Sequence, residues 1–167
     1  VEFSEKDGTY TFDYTQFDKM VSIFKEAGAL KMIEGGHIAG RTGNWDSQFE
    51  PYVPEYKDGK KTRVQYPMSS PRAQNFYKQF IPSLTAHLKE QQMGEIYAQH
   101  IADEPISSNI KSYVDIARFI KQLAPEIKII EACHSHDLEN TLDIWVPQLN
   151  FYKDGYDFYR ERQKQGD

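Results

Sequence analysis

Several features that would place the chain in a special class of protein are scarce or absent in its 167 residues. A single cysteine, Cys133, excludes an internal disulfide, and its apolar neighbours predict a buried, unreactive thiol. No apolar run approaches the ~20 residues of a membrane-spanning helix. The net charge of −5 argues against nucleic acid or an anionic membrane as a partner. There is no signal peptide, but the chain starts at Val1 without a methionine, which is typical of a piece of a longer protein.

What the chain does contain is typical of one globular domain covering residues 1–167. Hydrophobic residues make up 39% and charged residues 27% of it. Aromatic residues are plentiful, with 11 tyrosines, 10 phenylalanines and 2 tryptophans. Most of them are expected in the core, and a surplus at loop positions favours a binding cleft.

The apolar spacing predicts helices that alternate with short strands. The first expected helix is capped by Thr15 with Asp18 and ends at Gly28, and the second starts at Ser70-Pro71, is kinked or split at Pro82 and ends at Gly94. The third is capped by Ser107 or Ser108 and ends before Pro125. A last helix is expected over Asp154 to Gln165. The expected strands are Leu30 to Ile33, Glu95 to Ile101, Lys128 to Cys133 and Asp143 to Val146. Residues 38–69 are expected to form a long polar connection rich in aromatic residues, which is typical of a functional loop.

Strands that alternate with helices predict an α/β fold with parallel strands, either an open doubly wound sheet or a (β/α) barrel. An open sheet of that kind usually has a glycine-rich phosphate loop, and Glu34-Gly35-Gly36-His37 is too short and too acidic for one. All four strand ends instead carry polar or aromatic side chains, where barrel enzymes hold their active sites. We therefore expect an incomplete TIM-like barrel with about four of its βα units.

The most specific motif is Asp103-Glu104-Pro105 at the end of an apolar strand. Two adjacent carboxylates are costly to desolvate, so in this position they favour a catalytic site over a surface acidic pair at a helix start. Neighbours in a strand point to opposite faces, so both reach one site only if the backbone leaves the extended conformation. Pro105, which lacks an N–H, supports such an end to the strand.

The sequence resembles the catalytic domain of glycoside hydrolase family 123, the β-N-acetylgalactosaminidases. The matching blocks span most of the chain and are Phe12-Asp13-Tyr14-Thr15 with Phe17-Asp18, Glu34-Gly35-Gly36-His37, Tyr97 with His100-Ile101-Ala102-Asp103-Glu104-Pro105, and Asp143-Ile144-Trp145-Val146-Pro147-Gln148.

The resemblance implies a retaining glycosidase in which the 2-acetamido group of the substrate is the nucleophile, an exception to the usual pair of enzyme carboxylates. It implies that Asp103 orients the acetamide and that Glu104 protonates the leaving oxygen. The expected substrate contacts are His37, Tyr97, His100, Trp145, Gln148 and Tyr152. A glycan is the expected substrate and the rest of the barrel the expected partner, with no cofactor, metal, nucleic acid or membrane. Only the resemblance suggests a periplasmic or secreted location.

Two other functions remain open from the sequence. In a metal-dependent barrel hydrolase, His134 and His136 would bind an ion together with His37, His100 and Asp103. In a carbohydrate-binding or scaffold domain, the cleft would be kept without catalysis. A chelator would abolish the turnover of a metal-dependent hydrolase but not that of a glycosidase. Glycan binding without turnover would identify a binding or scaffold domain.

Overall fold

The computed structural model describes residues 1–133, 135–138 and 141–166. In chain order, their elements are β1 (Glu2–Lys6), β2 (Thr9–Asp13), α1 (Thr15–Glu26), β3 (Ile33–Gly35), β4 (Ala39–Arg41), β5 (Phe49–Lys57), β6 (Lys60–Gln65), α2 (Pro71–Glu90), β7 (Tyr97–Gln99), α3 (Ile110–Leu123), β8 (Lys128–Ala132), β9 (Ile144–Val146), α4 (Leu149–Tyr152) and α5 (Tyr156–Gln165). Short 3₁₀ turns cover Gly94–Ile96 and His136–Leu138.

The centre of the fold is a parallel sheet in the order β3-β7-β8-β9. The predicted parallel α/β arrangement is thus confirmed, although β3 is Ile33–Gly35 and β7 is only Tyr97–Gln99. All three residues of β7 are buried, because the helices α2 and α3 present apolar faces to the core. Within the described residues the four strands form no closed barrel, since β3 and β9 are edge strands.

The long connection predicted over residues 38–69 is wrong, because these residues form a second sheet. Strands β4, β5 and β6 pair antiparallel in that order, and we call them the inserted sheet. Phe49, Pro51 and Val53 of β5 alternate inward with partly exposed neighbours, which is the pattern of a strand covered on one face. A further antiparallel hairpin, β1–β2, precedes α1 and was not expected from the sequence.

Three predicted helix boundaries are also corrected. Tyr14 is the N-cap of α1 while the backbone N–H of Thr15 donates to Asp13 Oδ1, so Thr15 does not cap the helix. Asn109, in place of Ser107 or Ser108, precedes α3. Helix α2 ends at Glu90, four residues before Gly94, and Gln92 takes the left-handed conformation there with φ 57°.

The predicted start of α2 is confirmed, whereas a split of the helix at Pro82 is not. Ser70 caps α2 by accepting a hydrogen bond from Ala73 N, and Pro71 opens the helix. Pro82 does not split α2, which is continuous to Glu90.

Cys133 is buried as expected, and burial raises the pKa of its thiol to about 12. Over the described residues, the longest apolar helical stretch falls short of what crossing a bilayer requires.

Candidate active site

A partly buried ion-pair network joins three neighbouring strands at the carboxyl edge of the parallel sheet. His100, just after β7, places Nδ1 3.1 Å from Glu131 Oε1 of β8 and Nε2 3.2 Å from Glu34 Oε2 of β3. Parallel strands end at the same edge, which is why residues 31 and 66 positions away from His100 meet it. We call these residues the Glu34–His100–Glu131 network.

The network favours a protonated imidazole at its centre. Ionised carboxylates only accept hydrogen bonds, so both ring nitrogens of His100 must carry protons to donate to both partners. The hydrogen bond to Glu131 is the main cause that raises the pKa of His100, with Glu34 adding to it and partial burial opposing it.

Glu131 is the residue of this network that the sequence did not reveal. Its side chain is 1% exposed, yet its carboxylate accepts hydrogen bonds from the backbone N–H groups of Ala102 and Ala132 and lies 3.4 Å from the hydroxyl of Tyr113. A buried carboxylate of this kind persists only when it is paired. The available signal was a lone acidic residue inside the apolar strand β8.

Tyr97 and His37 lie beside the network in different ways. Tyr97 is buried, and its hydroxyl donates to Gln99 Oε1 at 2.7 Å, while Gln99 Nε2 donates to Gly36 O at 2.6 Å. These hydrogen bonds hold the Tyr97 side chain in the core, and its predicted contact with the substrate stays a prediction. His37 is exposed, and its ring meets that of His100 edge-on, with the centroids 5.1 Å apart.

The backbone leaves the extended conformation at the predicted catalytic pair. Glu104 has a φ of 42°, in the left-handed region that residues with a side chain rarely adopt. Strand alternation therefore does not apply to its side chain. Glu104 is half-buried and its Oε1 accepts a hydrogen bond from Gln148 Nε2 at 2.8 Å, whereas Asp103 is exposed. The structure thus brings Gln148 to Glu104, as expected for one site.

The inserted sheet holds Glu104 in this conformation from the other side. Arg41, at the end of β4, donates from Nη2 to the carbonyl oxygen of Glu104 at 2.8 Å and from Nε to that of Trp45 at 2.7 Å. Asn109, which is fully buried, donates to the carbonyl oxygens of Trp45 and Ser47 and accepts from Ile106 N. Residues 103–109, which we call the β7 loop, are therefore tied to the β4–β5 turn.

Trp145 and Tyr152 form an aromatic group at the end of β9. Trp145 is half-buried with its ring 5.0 Å from that of Phe158, and its Nε1 is buried with no hydrogen-bond partner among the described residues. Tyr152 is exposed and stacks on Tyr159 at 5.7 Å.

The structure brings together two of the metal ligands expected from the sequence, His37 and His100, with Glu131 as a third group that was not expected. Of the described residues, His37, His100 and Glu131 offer ligand atoms within 4.8 Å of one another. His136 instead stacks on Phe158 at 3.8 Å, and His134 lies outside the described residues. In His100 both nitrogens already face carboxylates, so an ion would have to replace a hydrogen bond that the network makes.

A cavity of about 480 Å³ opens at the β3 edge of the sheet. Its polar rim contains Glu34, His37 and Gln99, and its apolar wall includes Phe12, Ile33, Phe76, Phe80 and Leu84. Asp103 and Glu104 do not line it. The cavity therefore meets the Glu34–His100–Glu131 network but not the predicted catalytic pair.

Comparisons with known proteins bear on the family and the fold of the chain. The family model of the glycoside hydrolase 123 catalytic domain matches residues 1–167. A similar solved structure is a family 123 glycoside hydrolase from Clostridium perfringens, studied for glycolipid glycan hydrolysis, with a TM-score of 0.71 and 20% sequence identity. That match covers 99% of this chain but 30% of the other, so this chain spans less than a third of that protein. No curated protein sequence matches the chain.

Proposed function

Because the chain belongs to the catalytic-domain family of glycoside hydrolase 123, we propose that the protein hydrolyses β-linked N-acetylhexosaminides of the N-acetylgalactosamine type. Asp103 and Glu104 are its catalytic carboxylates, and the observation that carries this assignment is the left-handed backbone of Glu104. That conformation frees the pair from strand alternation, so two adjacent side chains can serve one substrate.

The reaction proceeds with retention of configuration through the acetamido group of the substrate. The acetamide oxygen attacks the anomeric carbon and forms an oxazoline-type intermediate, while Glu104 gives its proton to the leaving glycosidic oxygen. Asp103 accepts a hydrogen bond from the acetamide N–H and stabilises its positive charge. Glu104 then takes a proton from water, which opens the intermediate at the anomeric carbon and restores the acid.

The remaining site residues have supporting roles in this proposal. Gln148, bonded to Oε1 of Glu104, orients the acid. Trp145, at the end of β9, forms an apolar wall of the sugar pocket. His37, His100 and Tyr152 contact the sugar from the strand ends and α4. The four parallel strands are about half of a TIM-like barrel that the rest of the protein completes.

A hydrolysis assay on the full-length protein tests the proposal. We expect release of an N-acetylhexosamine whose β configuration is retained in the first-formed product, as followed by NMR. Asp103→Asn should slow this reaction by a factor of about 100 or more, since it removes the charge that stabilises the intermediate. A substrate with a hydroxyl in place of the acetamide should not react. Turnover of that substrate, an inverted product or full activity of Asp103→Asn would contradict the mechanism, and tight glycan binding without turnover would identify a non-catalytic binding domain.

The second candidate function is a metal-dependent hydrolase, which the closeness of His37, His100 and Glu131 favours. It predicts that a chelator abolishes turnover and that zinc restores it. The glycosidase mechanism requires turnover to survive chelation.

A further inference from the structure

Trp45 combines high exposure with a firmly held backbone. Its side chain is 52% exposed in the turn between β4 and β5. Its carbonyl oxygen accepts hydrogen bonds from Arg41 Nε at 2.7 Å and from the buried Asn109 Nδ2 at 3.2 Å. The backbone of an exposed indole is thus fixed before any ligand arrives, which lowers the entropy cost of binding to it.

The ring of Trp45 also packs on Arg41, the side chain that binds the backbone of the predicted acid. The guanidinium carbon of Arg41 lies 3.7 Å from the centre of the indole ring, and Nη2 of the same group donates to the carbonyl oxygen of Glu104. One face of the indole therefore rests on Arg41, while about half of the side chain remains open to solvent. A single guanidinium group links the aromatic surface to Glu104.

We propose that Trp45 forms the wall of a subsite for the sugar residue on the leaving-group side of the scissile bond. This inference rests on the proposed function, in which Glu104 protonates the glycosidic oxygen that carries this sugar. A sugar attached to that oxygen must lie beside Glu104. Arg41 joins Trp45 of the β4–β5 turn to the backbone of Glu104, whereas Gln148 contacts the Glu104 carboxylate from the end of β9.

The chemistry of the subsite favours a neutral sugar ring. The apolar C–H face of a sugar packs against an exposed indole, which removes apolar surface of both from water. The guanidinium group of Arg41 binds backbone carbonyl oxygens and packs on one face of the indole. Its positive charge thus has partners within the protein, and the ligand needs no negative group to pair with it. The expected occupant is a hexose joined through its hydroxyl to the N-acetylhexosamine that is released.

Calorimetric binding measurements on the full-length protein test this subsite. A Glu104→Gln background prevents turnover, and the probes are a disaccharide with a β-linked N-acetylhexosamine and the free N-acetylhexosamine. We expect Trp45→Ala to weaken disaccharide binding by about tenfold and monosaccharide binding by a clearly smaller factor, since only the disaccharide fills the subsite. Trp45→Phe should recover part of the affinity, because it keeps an aromatic face.

Phe24→Ala is the matched control, because Phe24 is 51% exposed on α1, outside the site. It should leave both affinities at their values in the Glu104→Gln background. Equal losses for both probes with Trp45→Ala, or no loss for either, would overturn the subsite. The outcome is separable from the proposed function. A protein that binds the disaccharide through Trp45 but does not hydrolyse it keeps the subsite and refutes the hydrolase. A protein that hydrolyses the disaccharide but binds it equally well without Trp45 keeps the hydrolase and refutes the subsite. Failure to bind either sugar refutes both.

Discussion

Two carboxylates at neighbouring strand ends have opposite surroundings. Glu131 of β8 is almost completely buried, and its oxygens face an imidazole, two backbone N–H groups and a phenol. Glu104 after β7 is half-buried, accepts one side-chain hydrogen bond from Gln148, and has a left-handed backbone. The carboxylate with the most partners is the one without access to solvent, while the more accessible one carries the unfavourable conformation.

The difference in burial and hydrogen bonding indicates which carboxylate supports the site and which one reacts in it. A saturated, buried carboxylate contributes to stability because its removal leaves donors and a charge without partners. A less saturated carboxylate on a backbone that costs about 1–3 kcal/mol to maintain is typical of a functional position. Stability should therefore depend on Glu131, and turnover on Glu104.

The largest expected effect is on turnover. Glu104→Gln should lower kcat for the N-acetylhexosaminide by a factor of about 10²–10⁴, because the amide cannot protonate the leaving oxygen. The free energy of unfolding should change little, since the amide oxygen can still accept the hydrogen bond from Gln148. Steady-state kinetics and urea unfolding of the same preparations measure the two quantities.

Glu95→Gln is the control for this substitution. Glu95 is exposed and lies just before β7, whereas Glu104 lies in the loop that follows the other end of this strand. Its loss should leave kcat as it is in the unaltered protein. An activity of Glu104→Gln that matched this control would remove Glu104 from the mechanism.

The next effect is on stability. Glu131→Gln should lower the free energy of unfolding by about 3 kcal/mol, because it removes the buried partner of His100 and places an amide N–H₂ next to other donors. Glu34→Gln alters the other partner of the same imidazole, but Glu34 is 57% exposed, so its loss should cost below about 1 kcal/mol. Urea titration of both variants compares them directly. Equal losses would mean that burial does not distinguish the two carboxylates.

The sequence predicted the parallel sheet and assigned Gln148 and Glu104 to one site, but not the partners that fix that site. Parallel strands and their polar ends follow from apolar runs between helical segments, which are local patterns. The contacts of Glu131 with His100 and of Arg41 with Glu104 join residues 31 and 63 positions apart, and no local pattern encodes them. The left-handed conformation of Glu104 also depends on these distant contacts.

The inserted sheet was missed for a different reason. Pro51 and Pro54 in β5 argue against a strand by their lack of an N–H, and the charged residues of β6 resemble a solvated loop. Yet Asp58-Gly59 is a typical two-residue hairpin turn, with φ of 51° and 72°, and Asp7-Gly8 joins β1 to β2 in the same way with 52° and 79°. Both turns were readable from the sequence as hairpin signals.

A smaller effect should follow from loosening the β7 loop. Arg41→Ala removes the donor to the Glu104 carbonyl oxygen, so the backbone of the acid should relax from its left-handed conformation and kcat should fall by about tenfold. Arg41→Lys keeps the charge but not the paired N–H donors, so it should restore only part of kcat. Steady-state kinetics of both variants measure the positioning effect.

Arg63→Ala is the control for the loss of a cation from the inserted sheet. Arg63 of β6 lies over the ring of Tyr52 of β5 at 5.0 Å, and no contact among the described residues joins it to the β7 loop. We expect it to keep the kcat of the unaltered protein. Equal losses of kcat in the two alanine variants would mean that the net charge of the sheet matters, and the positioning role of Arg41 would be wrong.

The smallest expected effect is the pH dependence that the network adds to stability. The pKa of His100 is raised above its ordinary value of 6.5, mainly by Glu131, so the folded state holds this proton more tightly than the unfolded chain. The resulting stabilisation is complete below pH 6.5 and is lost as the pH rises through the raised pKa. Urea unfolding at a series of pH values should show this loss in the unaltered protein and a flatter profile in His100→Asn. His87→Asn, which removes the imidazole paired with Asp18 on α1, keeps the network and should retain the loss that His100 causes. A profile for His100→Asn as steep as that of the unaltered protein would mean that Glu131 does not hold a charged imidazole.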